Sequence, residues 1–251
     1  MFSAIWHNIF FDPVYNLLTF FIDVLPKGDV GAAIVATVIV VKVVLLPLSL
    51  KAARTQVVMR EIEPELKRIQ EKFKDKREEL ARATMDIYKK AGINPFSSIL
   101  LLFIQIPLII ALYFSVARGG GVPLPDINTD LLYGFIPVPM AVSMLFLGVI
   151  DIAARNLPLA LLAGITQYIH TSLMLPPRKK RDPNAAPNFK EDFAHSMHIQ
   201  MKYVMPVIIF VVAYTLSATI ALYFLVSNLT SIAQEYFVKR ERERANTKLA
   251  S

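Results

Sequence analysis

Lys42 has the clearest chemical meaning in this sequence, because it lies inside a largely apolar block, residues 30–50. It precedes Leu50 by eight residues, which is roughly 12 Å along a helix that rises 1.5 Å per residue. A lysine stem covers only about half that distance towards the membrane surface. An unpaired ammonium in hydrocarbon costs about 2.5–3.5 kcal/mol on insertion scales. The position therefore indicates a cation facing a water-filled cavity within a helix bundle, where it can meet an acidic group.

Two other interpretations of Lys42 stay open at the level of the sequence. The side chain could snorkel to the interface along a tilted helix, and it would then have no role in recognition. It could also be held neutral within the bilayer, where a charge is costly. A polar cavity around Lys42 is the functional hypothesis that the other apolar blocks can support.

Polar side chains in those blocks could line the same cavity. Such side chains in apolar helices most often form single interhelical hydrogen bonds of modest strength. Taken with Lys42, however, they predict a polar pocket that reaches well into the bilayer. The candidate groove residues besides Lys42 are Gln105, Gln167, Ser227 and Asn228, with His170 in the same block as Gln167.

Sequence motifs of catalytic sites are absent. The chain has no phosphate-binding Gly-x4-Gly-Lys-Ser/Thr loop, no Gly-x-Ser-x-Gly elbow and no His-Glu-x-x-His motif. It has no cysteine, which excludes disulfides and thiolate metal ligands. His195 and His198 could meet one metal ion, but without an evident third ligand a solvated loop is the better interpretation. We therefore expect no catalytic residue, no cofactor and no metal.

The composition indicates that these residues are positioned by a membrane-embedded helical bundle. Hydrophobic side chains make up 55% of the 251 residues and charged ones 19%, with a mean hydropathy of +0.47. Helical blocks of about 20 apolar residues match the hydrocarbon core and satisfy their own backbone groups in lipid. The predicted fold class is an all-α polytopic membrane protein. Its five predicted transmembrane helices are residues 30–50, 96–117, 157–174, 203–216 and 217–237, and the fourth is short enough that its start is expected nearer Ile199.

The basic residues predict which side of the membrane each loop occupies. Of the 27 Lys and Arg residues, 12 fall in residues 51–95, 6 in residues 175–202 and 5 in residues 238–251. With five spans these three segments lie on one side, and the positive-inside rule makes that side cytoplasmic. The N-terminus is then outside the cell and the C-terminus inside.

Two segments outside the spans have helical patterns of their own. In the external N-terminus, residues 1–29, apolar side chains at helical spacing between Pro13 and Leu25 are typical of an amphipathic helix lying in the interface. Residues 51–95 combine apolar stripes with many Lys and Glu residues and predict a cytoplasmic helical hairpin, with Pro64 kinking or restarting its first arm. The stripe of that arm consists of Val58, Ile62, Leu66, Ile69 and Phe73.

The apolar stretch 131–150 could be mistaken for a sixth span. Pro137 and Pro139 interrupt it, and a crossing there would place the basic residues 175–202 outside. We expect this stretch to pack at the outer surface of the membrane. The remaining predicted segments are an external loop, 118–156, a cytoplasmic loop, 175–202, and a basic cytoplasmic tail, 238–251.

Nearly the whole chain resembles the YidC/Oxa/Alb family of membrane protein insertases. A cation five positions before a proline ends the first span, a charged hairpin follows, and the last two spans are very similar to those of the family. Single motifs of this kind are weak evidence, whereas their order and spacing are specific. The residues that carry the resemblance are Lys42 and Pro47, Asn94-Pro95, Gln105-Ile106-Pro107, Phe146 to Asp151, Met205-Pro206-Val207 and residues 222–229.

The resemblance implies an insertase and chaperone with a hydrophilic groove that opens to the cytoplasm and to lipid but is closed to the outside. The groove cation would attract the acidic end of a client while the apolar part of the client slides into lipid. The family usually has arginine where this chain has Lys42. Lysine keeps the charge but lacks the planar fork of arginine and deprotonates more readily.

The partners implied by the resemblance are nascent membrane proteins and the lipid bilayer, with the ribosome and a secretion channel as further candidates. The implied location is a bacterial inner membrane, and no sequence-specific nucleic-acid binding is expected. The rival hypothesis is a small-solute transporter that uses Lys42 as its substrate site. Such a transporter predicts internal repeat symmetry, which the sequence does not show.

Overall fold

The structure is a computed structural model that describes residues 5–73, 76–94, 96–175 and 196–250. It divides into two compact units. The first unit comprises Met1–Val43 and Ile106–Ala233, and the second comprises Val44–Gln105 and Gln234–Ser251. His195 and most of the predicted loop 175–202 lie outside the described residues.

Helices make up most of the described chain, as the predicted fold class requires. In chain order they are α1 (Asp12–Val24), α2 (Val30–Val44), α3 (Leu46–Lys72), α4 (Arg77–Lys90), α5 (Phe96–Ala117), α6 (Leu157–Met174), α7 (Met205–Thr215) and α8 (Ala218–Ala250). The π-helical segments Trp6–Phe11 and Gln200–Val204 precede α1 and α7. Short 3₁₀ turns are formed by Pro26–Gly28, Gly119–Gly121 and Thr129–Leu131.

Helix α1 lies where the sequence predicts an amphipathic helix. Pro13 is its second residue, and the helix directly follows the π-helical segment Trp6–Phe11. One face is buried in the first unit through Val14, Leu18 and Ile22, whereas Val24 is exposed. A helix with one buried and one exposed apolar face fits a location between protein and lipid, although its place in the interface stays a prediction.

The apolar block 30–50 is helical but interrupted. Helix α2 ends at Val44 and α3 begins at Leu46, with Pro47 in the first turn of α3. Proline cannot donate to the carbonyl four residues earlier, here that of Val43, and its ring clashes with that carbonyl. The break at Leu45 therefore follows from Pro47, and the role of the block as one membrane span stays a prediction.

Within the described residues, one helical run is both long and apolar enough to cross a membrane. This run, Ser196–Thr215, includes the π-helical segment Gln200–Val204 and α7. Helix α2 together with Leu46–Met59 meets the same criterion as a pair, and Phe103–Ala117 is a shorter apolar helix. Residues 203–215 of the predicted fourth span lie in the longer helical run Ser196–Thr215, and the start of the span stays a prediction. The predicted fifth span and basic tail comprise residues 217–251, of which Ala218–Ala250 form the helix α8.

Residues 132–156, all of them described, contain no helix. Two strands that the sequence did not predict, β1 (Leu145–Phe146) and β2 (Ile150–Asp151), pair antiparallel within the mostly helical fold. Their turn has positive φ at Leu147 (53°) and Gly148 (74°), as in the type I′ turns that suit hairpins. The apolar stretch is accordingly a folded loop in this region and not a helical span.

This loop is bonded to the start of α2. The Val30 N–H donates to the Ser143 carbonyl at 3.0 Å, and the Ser143 N–H donates to the Gly28 carbonyl at 2.8 Å. The Asp29 carboxylate caps α2 with one oxygen and with the other accepts from the Leu147 N–H at 2.8 Å. Backbone and side chain thus both hold the loop against the first residues of α2.

The same loop is bonded to the start of α8. The Ala218 N–H donates to the Ala154 carbonyl at 2.8 Å, and the Thr219 N–H donates to the Ile152 carbonyl at 3.1 Å. The Thr219 hydroxyl donates to that carbonyl as well, at 3.1 Å. Ile152 is fully buried. Residues 143–154 therefore connect the first turns of α2 and α8.

In the second unit, α3 and α4 contact one another. Leu66 of the predicted stripe is buried, as is Ile87 of α4, while the ion pair between Glu63 and Lys67 is exposed. Exposed ion pairs contribute little to stability, so apolar burial stabilises this helix pair. Pro64 lies within α3, which continues to Lys72; the predicted restart of the helix at this proline is therefore wrong.

Candidate functional site

The ammonium of Lys42 lies among groups from three helices. Lys42 is in the last turn of α2 and is half-buried. Its Nζ donates to Ser231 Oγ on α8 at 3.2 Å, and it interacts electrostatically with the imidazole of His170 on α6. We call Lys42, His170 and Ser231 the cation site. Its members come from parts of the sequence that only the fold brings together.

Gln167 is on the same face of α6 as His170, three residues earlier. Its Nε2 donates to Thr171 Oγ1, one turn further along the helix, at 3.2 Å. The side chain of Gln167 is half-buried and Thr171 is buried. The predicted glutamine therefore extends the polar face of α6 that begins at the cation site.

Asn228 and Ser227 of α8 are buried, 4% and 7% exposed respectively. Asn228 Nδ2 donates to the Ala163 carbonyl and to Thr166 Oγ1 on α6, both at 3.3 Å. A buried amide that bonds a neighbouring helix fixes the position of that helix. In this structure Asn228 stabilises the packing of α8 against α6, and contact of either residue with a client stays a prediction.

Gln105, the remaining predicted groove residue, belongs to the second unit. It lies on α5, two residues before Pro107, and it is half-buried. The second unit also has a polar contact that the sequence did not suggest, in which Ser49 Oγ on α3 donates to Gln234 Oε1 on α8 at 2.8 Å. The assignment of Gln105 to the groove stays a prediction.

Sequence reasoning missed Ser231 and Thr166, although a signal for Ser231 was present. Ser231 follows Ser227 by four residues, and Gln234 follows Ser231 by three. Residues with this spacing share one face of a helix, so α8 carries a polar stripe through its predicted span. Thr166 had no comparable signal, because threonine commonly bonds its own helix, as here to the Leu162 carbonyl at 2.8 Å.

Close packing of α6 against α7 holds the polar face of α6 in place. A Cβ atom added at Gly164 would lie 3.0 Å from Phe210 Cβ and 3.3 Å from the Pro206 carbonyl oxygen. Ala160 and Ala163, one turn before and beside Gly164, are fully buried. Small residues let helix backbones approach closely in membranes, and this contact fixes α6 between α7 and α8.

Within the described residues, no group of three His, Asp or Glu side chains is placed to hold a metal ion. His198 is described, whereas its suggested metal-binding partner His195 is not. The cation site offers an ammonium, an imidazole and a hydroxyl, a set suited to attracting and hydrogen-bonding an anionic group. Its chemistry is that of electrostatic recognition.

Apolar helices around a half-buried cation define a helical membrane protein with an internal polar site. The chain matches the family described as "60Kd inner membrane protein" over residues 21–246. It belongs to this family, which is the YidC/Oxa/Alb family that its motifs resemble.

Named relatives agree with this assignment. The chain is 32% identical over 219 residues to the membrane protein insertase YidC of Clostridium tetani, a match that covers 87% of this chain and 86% of that protein. It is 28% identical over 242 residues to the YidC insertase of Oceanobacillus iheyensis, with 95% and 85% covered. Identity to the insertase of Methylobacillus flagellatus is 30% over 243 residues, covering 97% of this chain but 38% of that protein.

Proposed function

We propose that this protein is a membrane protein insertase that moves apolar segments of nascent membrane proteins into a bacterial inner membrane. The observation that carries the proposal is the cation site, in which the Lys42 ammonium of α2 donates to Ser231 of α8 and interacts electrostatically with His170 of α6. Family membership and the names of the relatives support the same activity. The protein acts by recognition and positioning and forms no covalent intermediate.

Lys42 supplies the attraction for the client. Opposite charges 4 Å apart attract by about 4 kcal/mol at an effective dielectric constant of about 20, compared with about 1 kcal/mol in water. A half-buried ammonium therefore binds an acidic client residue more strongly than a cation on the surface would. Ser231 accepts a hydrogen bond from the ammonium and so holds it near α8. When a client arrives, the ammonium can donate to the client's carboxylate instead.

The apolar part of the client moves separately from its acidic part. Once the carboxylate is held at Lys42, the adjoining apolar segment gains about 25 cal/mol for each Å² that leaves water for lipid. This gain drives lateral movement into the bilayer. Gln167, Gln105 and Ser227 are proposed to keep the path of the client's hydrophilic end hydrated, while Asn228 holds α8 against α6.

We propose five transmembrane spans, with the N-terminus outside and the C-terminus in the cytoplasm. The concentration of basic residues in 51–95, 175–202 and 238–251 supports this orientation. Polar residues within the predicted third and fifth spans, such as Gln167 and Asn228, lower the hydropathy of those helices. Spans that carry polar groups towards the bundle interior are expected in a protein with an internal polar site.

The helix pair α3–α4 is proposed to be a cytoplasmic hairpin that contacts clients or partners. Its exposed surface carries charged residues, including Glu63, Lys67 and Glu79, as suits a helix pair in water. The ribosome and a secretion channel are the proposed partners, because nascent chains reach the membrane through them. Helix α1 is proposed to lie in the outer interface.

Reconstitution into liposomes with a small single-span client tests the insertase function. We expect purified protein to protect the client's span from added protease, whereas protein-free liposomes leave it accessible. Two matched clients should be compared, one with an acidic translocated end and one in which the acidic residues are neutralised. Insertion that is no better than in protein-free liposomes would contradict the proposal, and uptake of a small solute instead would favour a transporter.

A further inference from the structure

An apolar cleft of about 410 Å³ lies between α1 and the external loop, away from the cation site. Clefts that bind small molecules start at about 300 Å³ and are mostly apolar. The cleft is confined to the first unit. Its lining residues are Pro13, Asn16, Leu17, Phe20, Tyr133, Phe135 and Ile136.

A buried asparagine builds this cleft. Asn16 is 2% exposed, and its Nδ2 donates to the carbonyls of Asp12 and Leu131 at 2.9 and 2.8 Å. Its Oδ1 accepts from the Tyr133 N–H at 2.7 Å. These bonds fix residues 131–133 against α1, and they use both the amide nitrogen and the amide oxygen. The amide of Asn16 is therefore already hydrogen-bonded, and the surface that lines the cleft is almost entirely apolar.

Aromatic rings form the wall opposite α1. The rings of Tyr133 and Phe135 are 5.7 Å apart and tilted by 38°, and the Ile136 N–H closes the turn by donating to the Tyr133 carbonyl at 2.8 Å. Phe135 is 79% exposed and Phe20 is 38% exposed. Such aromatic side chains in contact with the surroundings are costly in water and favourable at a lipid interface.

Asp12 is not a lining residue, but its carboxylate lies within electrostatic reach of Tyr133 at the edge of the cleft, which we call the rim. Burial and, second, the charge of Asp12 raise the pKa of the Tyr133 phenol above its ordinary value. Tyr133 therefore stays protonated at neutral pH and can donate to an ester or phosphate oxygen. Asp12 itself is 2.9 Å from His7 Nδ1, the other titratable group in contact with it. An ammonium group at the rim would be attracted to the Asp12 carboxylate.

We propose that this cleft binds one acyl chain of a phospholipid from the outer leaflet, with an ammonium-bearing headgroup held at the Asp12 rim. One turn of a helix, about 11 Å wide and 5.4 Å long, occupies roughly 500 Å³, so the cleft is too small for a client helix and suits a single hydrocarbon chain. The inference rests on the proposed function, because it requires α1 to lie in the outer membrane interface. It assigns α1 a bound lipid in addition to its packing.

Photolabelling of the full chain in defined vesicles tests the site. Vesicles of phosphatidylethanolamine and phosphatidylglycerol would contain a trace of either lipid with a diazirine on its acyl chain. After irradiation, peptide mass spectrometry should find the label concentrated in α1 and residues 133–136, with more from the ethanolamine lipid than from the glycerol lipid. Equal labelling of all lipid-facing helices would overturn the proposal, as would preference for the glycerol lipid.

Matched variants separate filling of the cleft from damage to α1. Leu17→Trp and Ile136→Trp fill the cleft from opposite walls, and each should lower labelling there about tenfold, the change that 1.4 kcal/mol produces. Val24→Trp places the same ring at an exposed position of α1 outside the cleft and should leave labelling unchanged. Asp12→Asn should remove the preference for the ethanolamine headgroup while the acyl chain still binds. Unchanged labelling of both filled variants would overturn the proposal.

The same vesicles distinguish failure of this site from failure of the insertase function. Labelling requires no client, so a protein that labels as expected but inserts nothing would contradict the insertase and leave the lipid site intact. Insertion without localised labelling would contradict only the lipid site. Lys42→Ala should leave the labelling pattern unchanged, because Lys42 is not among the residues that line the cleft.

Discussion

At the level of single residues, charge and shape make separable contributions at Lys42. The hydrogen bond to Ser231 at 3.2 Å needs only a donor of suitable reach, whereas attraction of an acidic client needs the positive charge. His170 contributes an imidazole from α6 within electrostatic reach of the ammonium. Substitutions that change charge and length independently therefore test the recognition mechanism.

Lys42→Arg should keep insertion of an acidic client close to that of the parent, because arginine stays protonated in almost any environment. Lys42→Ala should reduce it about tenfold or more, since a single close charge interaction contributes several kcal/mol at low dielectric constant. Lys42→Glu should be the least active through repulsion of the client. The measurement is the initial rate of client insertion into proteoliposomes.

A client with a neutralised end is the control for this series, and it should respond little to any of the three changes. Equal loss of both clients in Lys42→Ala would show that the side chain supports the structure or its hydration. Full activity of Lys42→Ala on the acidic client would show that Lys42 only snorkels.

Gly164 tests the packing that positions the polar face of α6. Gly164→Leu should destabilise the protein by about 1–3 kcal/mol, because overpacking forces neighbouring groups to move and the first added carbon already meets Phe210 at 3.0 Å. The readout is a lower Tm in detergent. Ile165→Leu, at the adjacent exposed position, is the control and should leave the Tm unchanged; a similar Tm for both variants would contradict the packing argument.

The residues that sequence reasoning identified in the site are those whose chemistry conflicts with their surroundings. Lys42 and Asn228 stand out because a cation and an amide are rare in apolar blocks. Ser231 and Thr166 are inconspicuous there, since hydroxyls can bond their own helix. Their roles depend on which helix lies opposite, and a single sequence does not contain that information.

At the level of elements, the α3–α4 pair depends on a small apolar contact. Ile87 is 4% exposed and Met85, on the same helix, is 46% exposed. Ile87→Asp should separate the two helices, because an unpaired charge in a buried position costs several kcal/mol, and the protein should remain in the membrane. Limited proteolysis should then cut α3 and α4 faster than in the parent.

Met85→Asp introduces the same charge at the exposed position, so its proteolysis should match that of the parent. Equal cleavage of the two variants would contradict a stabilising role for the buried contact. Loss of the Ile87→Asp protein from the membrane fraction would show that the pair is needed for assembly of the whole chain.

Element type was predictable from periodicity, and element boundaries were not. The sequence predicts helix where α1, α3 and α4 lie because their polar and apolar faces differ, while the interfacial place of α1 and the cytoplasmic hairpin stay predictions. The break at Leu45 and the strands β1 and β2 were missed. A short hairpin turn that relies on positive φ at Leu147 gives no reliable signal, because leucine rarely adopts this conformation.

For the whole molecule, the five-span topology can be tested with single cysteines, since the chain contains none. A membrane-impermeant maleimide should label Asp126→Cys in intact cells. Glu78→Cys and Met197→Cys should be labelled only after permeabilisation, because the positive-inside rule places both in the cytoplasm. All three positions are exposed. The five-span topology places three crossings before Met197. Labelling of Met197→Cys in intact cells would require an even number of crossings there and would contradict this topology.

The loop that joins the first turns of α2 and α8 has a consequence for ion permeability. Ser231 lies 13 residues into α8, roughly 20 Å from its bonded start. We therefore expect a client to separate the helices near Ser231 while their joined ends stay together. Protons would then be retained during insertion. Asp29→Ala removes the carboxylate that holds Leu147, and vesicles containing this variant should lose a pH gradient faster than the parent when a client is added. An unchanged rate would contradict this role, whereas a faster one would mean that the insertase opens for its clients at one end only.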